Sequence, residues 1–344
     1  MKLGMVGGYG GKEVNVNMSL IKHAENLGYD STWTAEAWGA DAISPAAWIL
    51  AQTEKIKVGT AIMQMVARTP ANAAMTAMTL SQLSGGRFIA GLGASGPQVV
   101  EGWHGVAYGR PLTRTREYIS IMRKIMAREE KVTHDGFHYQ MPYKGEDGTG
   151  LGKPLKSILK ADTSIPIYTA SITPKGIALS AEIADGFFPV WMNPERYDIF
   201  ADSIQSGLDT SGRTLDDFTI APFVTVVLGD SLEGCRMPVK GMLALYIGGM
   251  GAREKNFYND YAVAMGYETA AKKIQDLYLE GKKAEAMAAV PDELVDEIAL
   301  LGPKERIKDR LQAWIEAGKK GHVGSMLVGA GQPEALALIA EEVL

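Results

Sequence analysis

Cysteine is almost missing from this chain: Cys235 is the single one among 344 residues. No disulfide can form within the chain, a pattern that suits a reducing compartment. Histidine is scarce as well, at five residues, and no His, Cys, Asp or Glu cluster has the spacing of a metal site. No run of about 18 apolar residues occurs, so a membrane-spanning helix is not expected. The first residues, Met1-Lys2-Leu3-Gly4, do not open the apolar stretch of a signal peptide, because Gly7, Gly8, Gly10 and Gly11 interrupt it. Together these absences lead to the expectation of a soluble, cytoplasmic protein. Positive charge is not in excess either. A net charge of −5 argues against nucleic acid or an anionic membrane as partner, leaving a small-molecule substrate. A G-x-S-x-G nucleophile elbow is also missing.

What is present is ordinary globular composition, 46 % hydrophobic and 22 % charged, in enough chain to bury a large core. Short apolar runs rich in β-formers alternate with longer amphipathic stretches. The spacing predicts strands at 2–6, 29–35, 57–63, 87–92, 165–170, 187–191, 219–227 and 322–328. Helices are expected from about 14, 45, 70, 112, 174, 304 and 333. Gly28 and Gly85 supply helix stops, and Pro70 suits a first helical position, where no hydrogen bond is lost. Eight strands separated in this way point to an α/β fold, a (β/α)₈ TIM barrel, rather than an open doubly wound sheet. Length alone suggests two domains, but barrels of this size stay single. One domain over 1–344 with insertions at about 129–164 and 232–290 is the simpler account.

In such a barrel, residues just after the strands converge on one open end, where function concentrates. The segment Ile165–Gly176 reads as a buried strand, then Thr173 as helix cap, Pro174 in the first turn and Lys175 just inside. Free N–H groups and the positive end of the helix dipole favour a phosphate there, with Ser171 and Thr173 as added donors. A capped helix with no ligand satisfies the same residues. Gly91-Leu-Gly-Ala-Ser-Gly96 matches the dinucleotide pattern G-x-G-x-x-G. It lies in the fourth repeat and meets Pro97 rather than a clean amphipathic helix, so we read it as space at the barrel mouth for a flat ligand. Thr60, Ala61 and Ile62 offer a flat apolar wall, or plain core packing. Among the histidines, His23 and His322 read as structural, and His134 and His138 as solvated. His104, after strand four, is the proton-carrier candidate. Glu36, a carboxylate at a strand end, is the other; a structural role competes with catalysis at both. The glycine-rich stretch Tyr246–Asn259, with Arg253, is either a lid or a loop joining two helices.

These residues also carry a resemblance. Thr34-Ala-Glu-Ala-Trp-Gly-Ala-Asp41, Val58-Gly-Thr-Ala-Ile62, Leu83-Ser-Gly-Gly-Arg-Phe88, Gly91-Leu-Gly-Ala-Ser-Gly96 and Ala184-Asp-Gly186 resemble the bacterial luciferase-like superfamily. Within it the chain looks most like the F420-dependent oxidoreductases, nearly end to end. The string Gly93-Ala-Ser-Gly-Pro-Gln-Val-Val-Glu-Gly-Trp-His-Gly105 is specific for one subgroup.

The resemblance implies a luciferase-type barrel, a homodimer, and coenzyme F420 in the barrel mouth, with FMN as the alternative cofactor. It implies a non-proline cis peptide at Ala61-Ile62 behind the ring, with Glu36, Thr60, Gln64, Ser95 and Gly96 around it. The coenzyme phosphate would fall on Ser171, Ile172 and Thr173, with Ala170 and Lys175 beside them. Two departures count against a sugar-phosphate substrate: Ala37 stands where several relatives carry histidine, and Pro97 where some carry glutamate. The expected reaction is hydride transfer between the deazaflavin C5 and a small organic substrate. An FMN-dependent monooxygenase with a separate reductase and a non-catalytic flavin-binding protein are the rivals.

Overall fold

The strands form where apolar, β-branched runs meet glycine or polar stops. In a computed structural model, which describes residues 1–7 and 12–344, six of them are Lys2–Val6, Ser31–Thr34, Lys57–Thr60, Phe88–Gly93, Ile167–Ala170 and Gly186–Phe188. The seventh consists of Thr219–Ile220 and Phe223–Leu228 on either side of Pro222, and the eighth is Ser325–Gly329. All pair in parallel. The circle closes through strand seven. Ala221 N–H donates to the Phe187 carbonyl on one side, while Gly324 and Leu327 donate to the carbonyls of Ile220 and Pro222 on the other. The expected barrel is therefore the observed architecture. Of the glycines after strand one, Gly8, Gly10 and Gly11 lie outside the described residues.

The barrel is filled, not hollow. Trp33, Ile89, Phe188, Ala221 and Leu327 form an inner cluster, as the side-chain layers of such barrels require. Trp33 fits because Gly59 has no side chain; a Cβ there would lie 2.2 Å from the indole. The larger apolar cluster lies between the strands and the surrounding helices. Helix ends follow their sequence signals. Thr69 accepts from Asn72 N–H ahead of Pro70, and Gly85 takes the left-handed conformation that ends the helix Pro70–Ser84.

Several elements were not anticipated. A helix at Asp198–Ser211 connects strands six and seven. A short one at Pro97–Gly102 does open after the glycine motif, although the sequence read as irregular there. An extra strand, Ala299–Gly302, pairs in parallel with Thr225–Leu228, on the flank of strand seven that strand six leaves free. The polar excursion contains a hairpin, His134–Asp135 with Gln140–Met141. Glu117 anchors it by accepting N–H bonds from Phe137, His138 and Tyr139. His134 is correspondingly not solvated; its Nε2 is buried and lies 3.6 Å from Glu117. His138 bonds through Nε2 to the Arg110 carbonyl.

The second insertion is helical, as expected, from Leu232–Gly249 to Asp292–Ile298. Within it, buried Asn256 donates to the carbonyls of Tyr246 and Ile247 and caps the next helix. Arg253 pairs with Asp276. These ties favour the reading of Tyr246–Asn259 as a helix connection over that of a lid. Among the described residues no helix is long and apolar enough to cross a membrane.

Candidate active site at the open end of the barrel

Strand three ends in an interruption that creates the floor of the site. Thr60 is fully buried, and its hydroxyl replaces the ladder: it donates to the Gly91 carbonyl at 2.7 Å and accepts Gly91 N–H at 2.9 Å. The Thr60 side chain therefore serves the sheet. The next peptide bond, Ala61–Ile62, is cis, at the expected position. Pairing then resumes, with Met63 and Gln64 opposite Leu92 and Gly93. Gly93 in turn pairs with Ala170, so the ends of strands three, four and five stand level. Gly91 and Gly93 make this possible. A Cβ on Gly91 would lie 1.7 Å from the Thr60 carbonyl oxygen, and one on Gly93 2.7 Å from the Ile62 side chain. Ala61 and Ile62 are left half-buried, an apolar ledge beside a glycine strand.

Above the ledge runs a chain of polar contacts between three loops. Arg68 grips Glu36 with both guanidinium nitrogens, at 2.7 and 3.1 Å. Glu36 also accepts the backbone N–H of Gln64 at 2.6 Å and of Ala42 at 2.9 Å. Burial would lower the Arg68 pKa, but the hydrogen bond and charge of Glu36 outweigh it and hold it above the usual range. Four donors engage the Glu36 oxygens, and the side chain is 6 % exposed. These contacts favour the structural reading of Glu36 over that of a proton carrier. Gln64, 2 % exposed, donates from Nε2 to the Ala37 carbonyl at 2.8 Å and more weakly to that of Glu36 at 3.4 Å. Its Oε1 lies 2.6 Å from His104 Nε2. Gln64 thus meets the loop after strand four through His104. Helix Pro97–Gly102 delivers His104 to this point, with Trp103 and His104 N–H both returning to the Val99 carbonyl. Trp38 and Trp103, the sequence neighbours of Ala37 and His104, are more than half exposed.

Strand five ends at Ala170, which is exposed, and Ser171, Ile172 and Thr173 follow, half-buried. The Thr173 hydroxyl accepts Gly176 N–H at 3.2 Å, capping the helix Pro174–Ile183. Gly176 is needed because a Cβ would sit 1.8 Å from the Ser171 hydroxyl. That hydroxyl is therefore folded over the helix start, where N–H groups and dipole attract an anion. Lys175 is exposed one residue into the helix. Ser95, with φ 61°, and Gly96 lie half-buried between strand four and its short helix. Sequence reasoning missed Arg68 and the tyrosines that gather around Trp191 after strand six. There Trp191, itself at φ 39°, has ring contacts with Tyr246, Tyr258 and Tyr261. A cavity of about 360 Å³ also exists at the opposite, N-terminal end, between Lys2, Asp30, Lys57, Tyr168 and Ser325. That end of a barrel serves stability, and the Lys57–Asp30 ion pair at 3.0 Å spans part of it.

The luciferase-like monooxygenase family matches residues 3–320. Rv3520c of Mycobacterium tuberculosis, which is named a coenzyme F420-dependent oxidoreductase, is 44 % identical over 340 residues, covering 97 % of this chain and 96 % of the relative. Among solved structures, the coenzyme F420-dependent tetrahydromethanopterin reductase of Methanopyrus kandleri superposes with a TM-score of 0.75 at 20 % identity, covering 99 % of this chain and 98 % of that one. An F420-dependent secondary alcohol dehydrogenase gives 0.72 at 18 %, with coverage of 100 % and 98 %. At these identities the two structures speak for the fold.

Proposed function

The chain belongs to the luciferase-like monooxygenase family, and from that premise we propose that it is a coenzyme F420-dependent oxidoreductase acting on a small organic substrate. The observation that carries this reading is the level register Gln64–Gly93–Ala170. It sets an apolar ledge beside a capped helix start, an arrangement suited to a flat ring with an anionic tail. The name and 44 % identity of Rv3520c support F420 over FMN.

The residues present fit such a group. Ala61 and Ile62 would back the ring, seated there because Gly91 and Gly93 have no side chain to meet the Thr60 carbonyl and the Ile62 side chain. Ser171, Ile172, Thr173 and the first turn at Lys175 would hold the phosphate. When bound, the coenzyme supplies two-electron hydride chemistry at its deazaflavin C5. The protein's contribution is to orient, to exclude water and to manage a proton. His104, half-buried and held by Gln64, is the residue we assign to the proton.

Binding decides the cofactor. Fluorescence titration of the purified protein with F420 and, separately, with FMN is expected to give saturable binding of F420. Micromolar FMN affinity with no F420 binding would replace this reading by that of a flavin monooxygenase.

A further inference from the structure

The geometry points to Gln64 as a positioning residue that locks His104 in one tautomer and so makes Nδ1 the nitrogen that exchanges a proton with substrate. The inference rests on the assignment of His104 as proton carrier, and deepens it to a single atom. An amide side chain has one accepting oxygen and one donating nitrogen. The Gln64 nitrogen faces two backbone carbonyls, those of Ala37 and Glu36. Turning the amide over would put its oxygen against both, with no proton between them. The orientation is thereby set by its surroundings, and Oε1 can only accept. His104 Nε2, 2.6 Å away, must then carry the hydrogen. In the neutral ring the lone pair resides on Nδ1.

The lock is itself held. Gln64 backbone N–H is fixed by Glu36, and Glu36 by the two-pronged grip of Arg68. Strand pairing of Gln64 with Gly93 ties the same residue to the strand whose loop carries His104. Both sides of the 2.6 Å contact are thus anchored to neighbouring strands. Among the described residues Nδ1 has no hydrogen-bond partner, and it is not among the buried orphaned atoms. When substrate gives up a proton, the heteroatom–hydrogen bond breaks and an Nδ1–H bond forms. The ring becomes a cation with one proton on each nitrogen, and Gln64 keeps its own. In the reverse direction the same Nδ1 proton returns to the substrate.

Nitrogen-15 NMR of the full chain with labelled histidine reads this without coenzyme or turnover, and His104→Gln assigns the signal. That substitution keeps an N–H for Gln64 but lacks Nδ1. The expected spectrum of the neutral ring shows a protonated Nε2, an unprotonated Nδ1 and a slowly exchanging Hε2 resonance. The tautomer ratio should favour Nε2–H by about tenfold or more. In Gln64→Met the Hε2 resonance should vanish and the preference should shrink several-fold. A protonated Nδ1 in the wild-type chain, or a spectrum unchanged by Gln64→Met, overturns the proposal. Failure of F420 to bind would sink the cofactor assignment and leave this result standing.

Discussion

Arg68→Met tests whether the open end is organised by the buried pair, and its cost can be worked from the contacts. The side chains of Arg68 and Glu36 are 15 % and 6 % exposed. Removing one partner of such a pair costs about 3–5 kcal/mol, because a charge is left buried without a counterion. Glu36 keeps two backbone donors, Gln64 and Ala42, which places the expected loss near the lower end, about 3 kcal/mol. At about 2.1 cal/mol/K per residue, a chain of 344 residues unfolds with an entropy of about 0.7 kcal/mol/K. The melting temperature should therefore drop by about 4 °C. The variant isolates the ion pair, since the Tyr118 hydroxyl bonds to the Arg68 backbone carbonyl and is untouched. Adding Glu36→Gln removes the orphaned charge, so the double variant should recover more than half of the loss. Far-UV circular dichroism melts measure both. A single variant within about 1 °C of wild type, or a double variant that loses the sum of the two singles, refutes the argument.

Three further outcomes follow from the geometry. Gly176→Ala introduces a Cβ at 1.8 Å from the Ser171 hydroxyl, a group that can rotate away. It should leave the melting temperature within about 2 °C while weakening F420 binding about tenfold, read by the fluorescence titration. Gly91→Ala meets backbone instead, 1.7 Å from the Thr60 carbonyl oxygen, and should cost more than about 3 kcal/mol, seen as poor soluble yield or a large fall in denaturant midpoint. Glu117 gives a pH signature. Burial pushes its carboxyl up, but N–H bonds from His138, Phe137 and Tyr139 outweigh this and hold it below the usual 4.5. A folded-state value below the unfolded one means the stabilisation is complete above 4.5 and fades as pH falls through the folded value. After correction for intrinsic exchange, amide protection at 137–139 should decline in that acid range before the barrel strands open; uniform protection would refute the anchoring role.

Most of the barrel was legible because each strand is a short apolar run bounded by a stop, and parallel strands are buried on both faces. Lys2–Val6 and the helix Pro70–Ser84, with its Thr69 cap and Gly85 stop, show the rule at its clearest. The misses have physical causes. Ala299–Gly302 is only four residues long and follows an acidic helix, so it carries no alternation to read. The spacing reads strand seven as one run, but Pro222 has no N–H for the ladder, so the strand breaks there and its second half pairs with Ala299–Gly302 and with strand eight. The helix Asp198–Ser211 did have a signal, its left-handed Gly212 stop.

The site was less legible than the fold because its key contacts join residues far apart in sequence. Glu36 could be singled out as a carboxylate at a strand end. Nothing local shows that Arg68, 32 positions on, consumes it. His104 could be singled out as a histidine near the open end, but its partner Gln64 is 40 positions away and glutamine carries no charge to betray it. Periodicity reports which face of an element is buried; it is silent on which side chains meet above the sheet. What brings these residues together is the ending of strand three, where Thr60 diverts its hydroxyl to Gly91 and Gln64 re-enters the sheet opposite Gly93. The interruption places an uncharged, rigidly held acceptor at the rim, 2.6 Å from His104 Nε2. On the proposed reading it is Gln64, rather than Glu36, through which the barrel would orient the ring of His104 at its mouth.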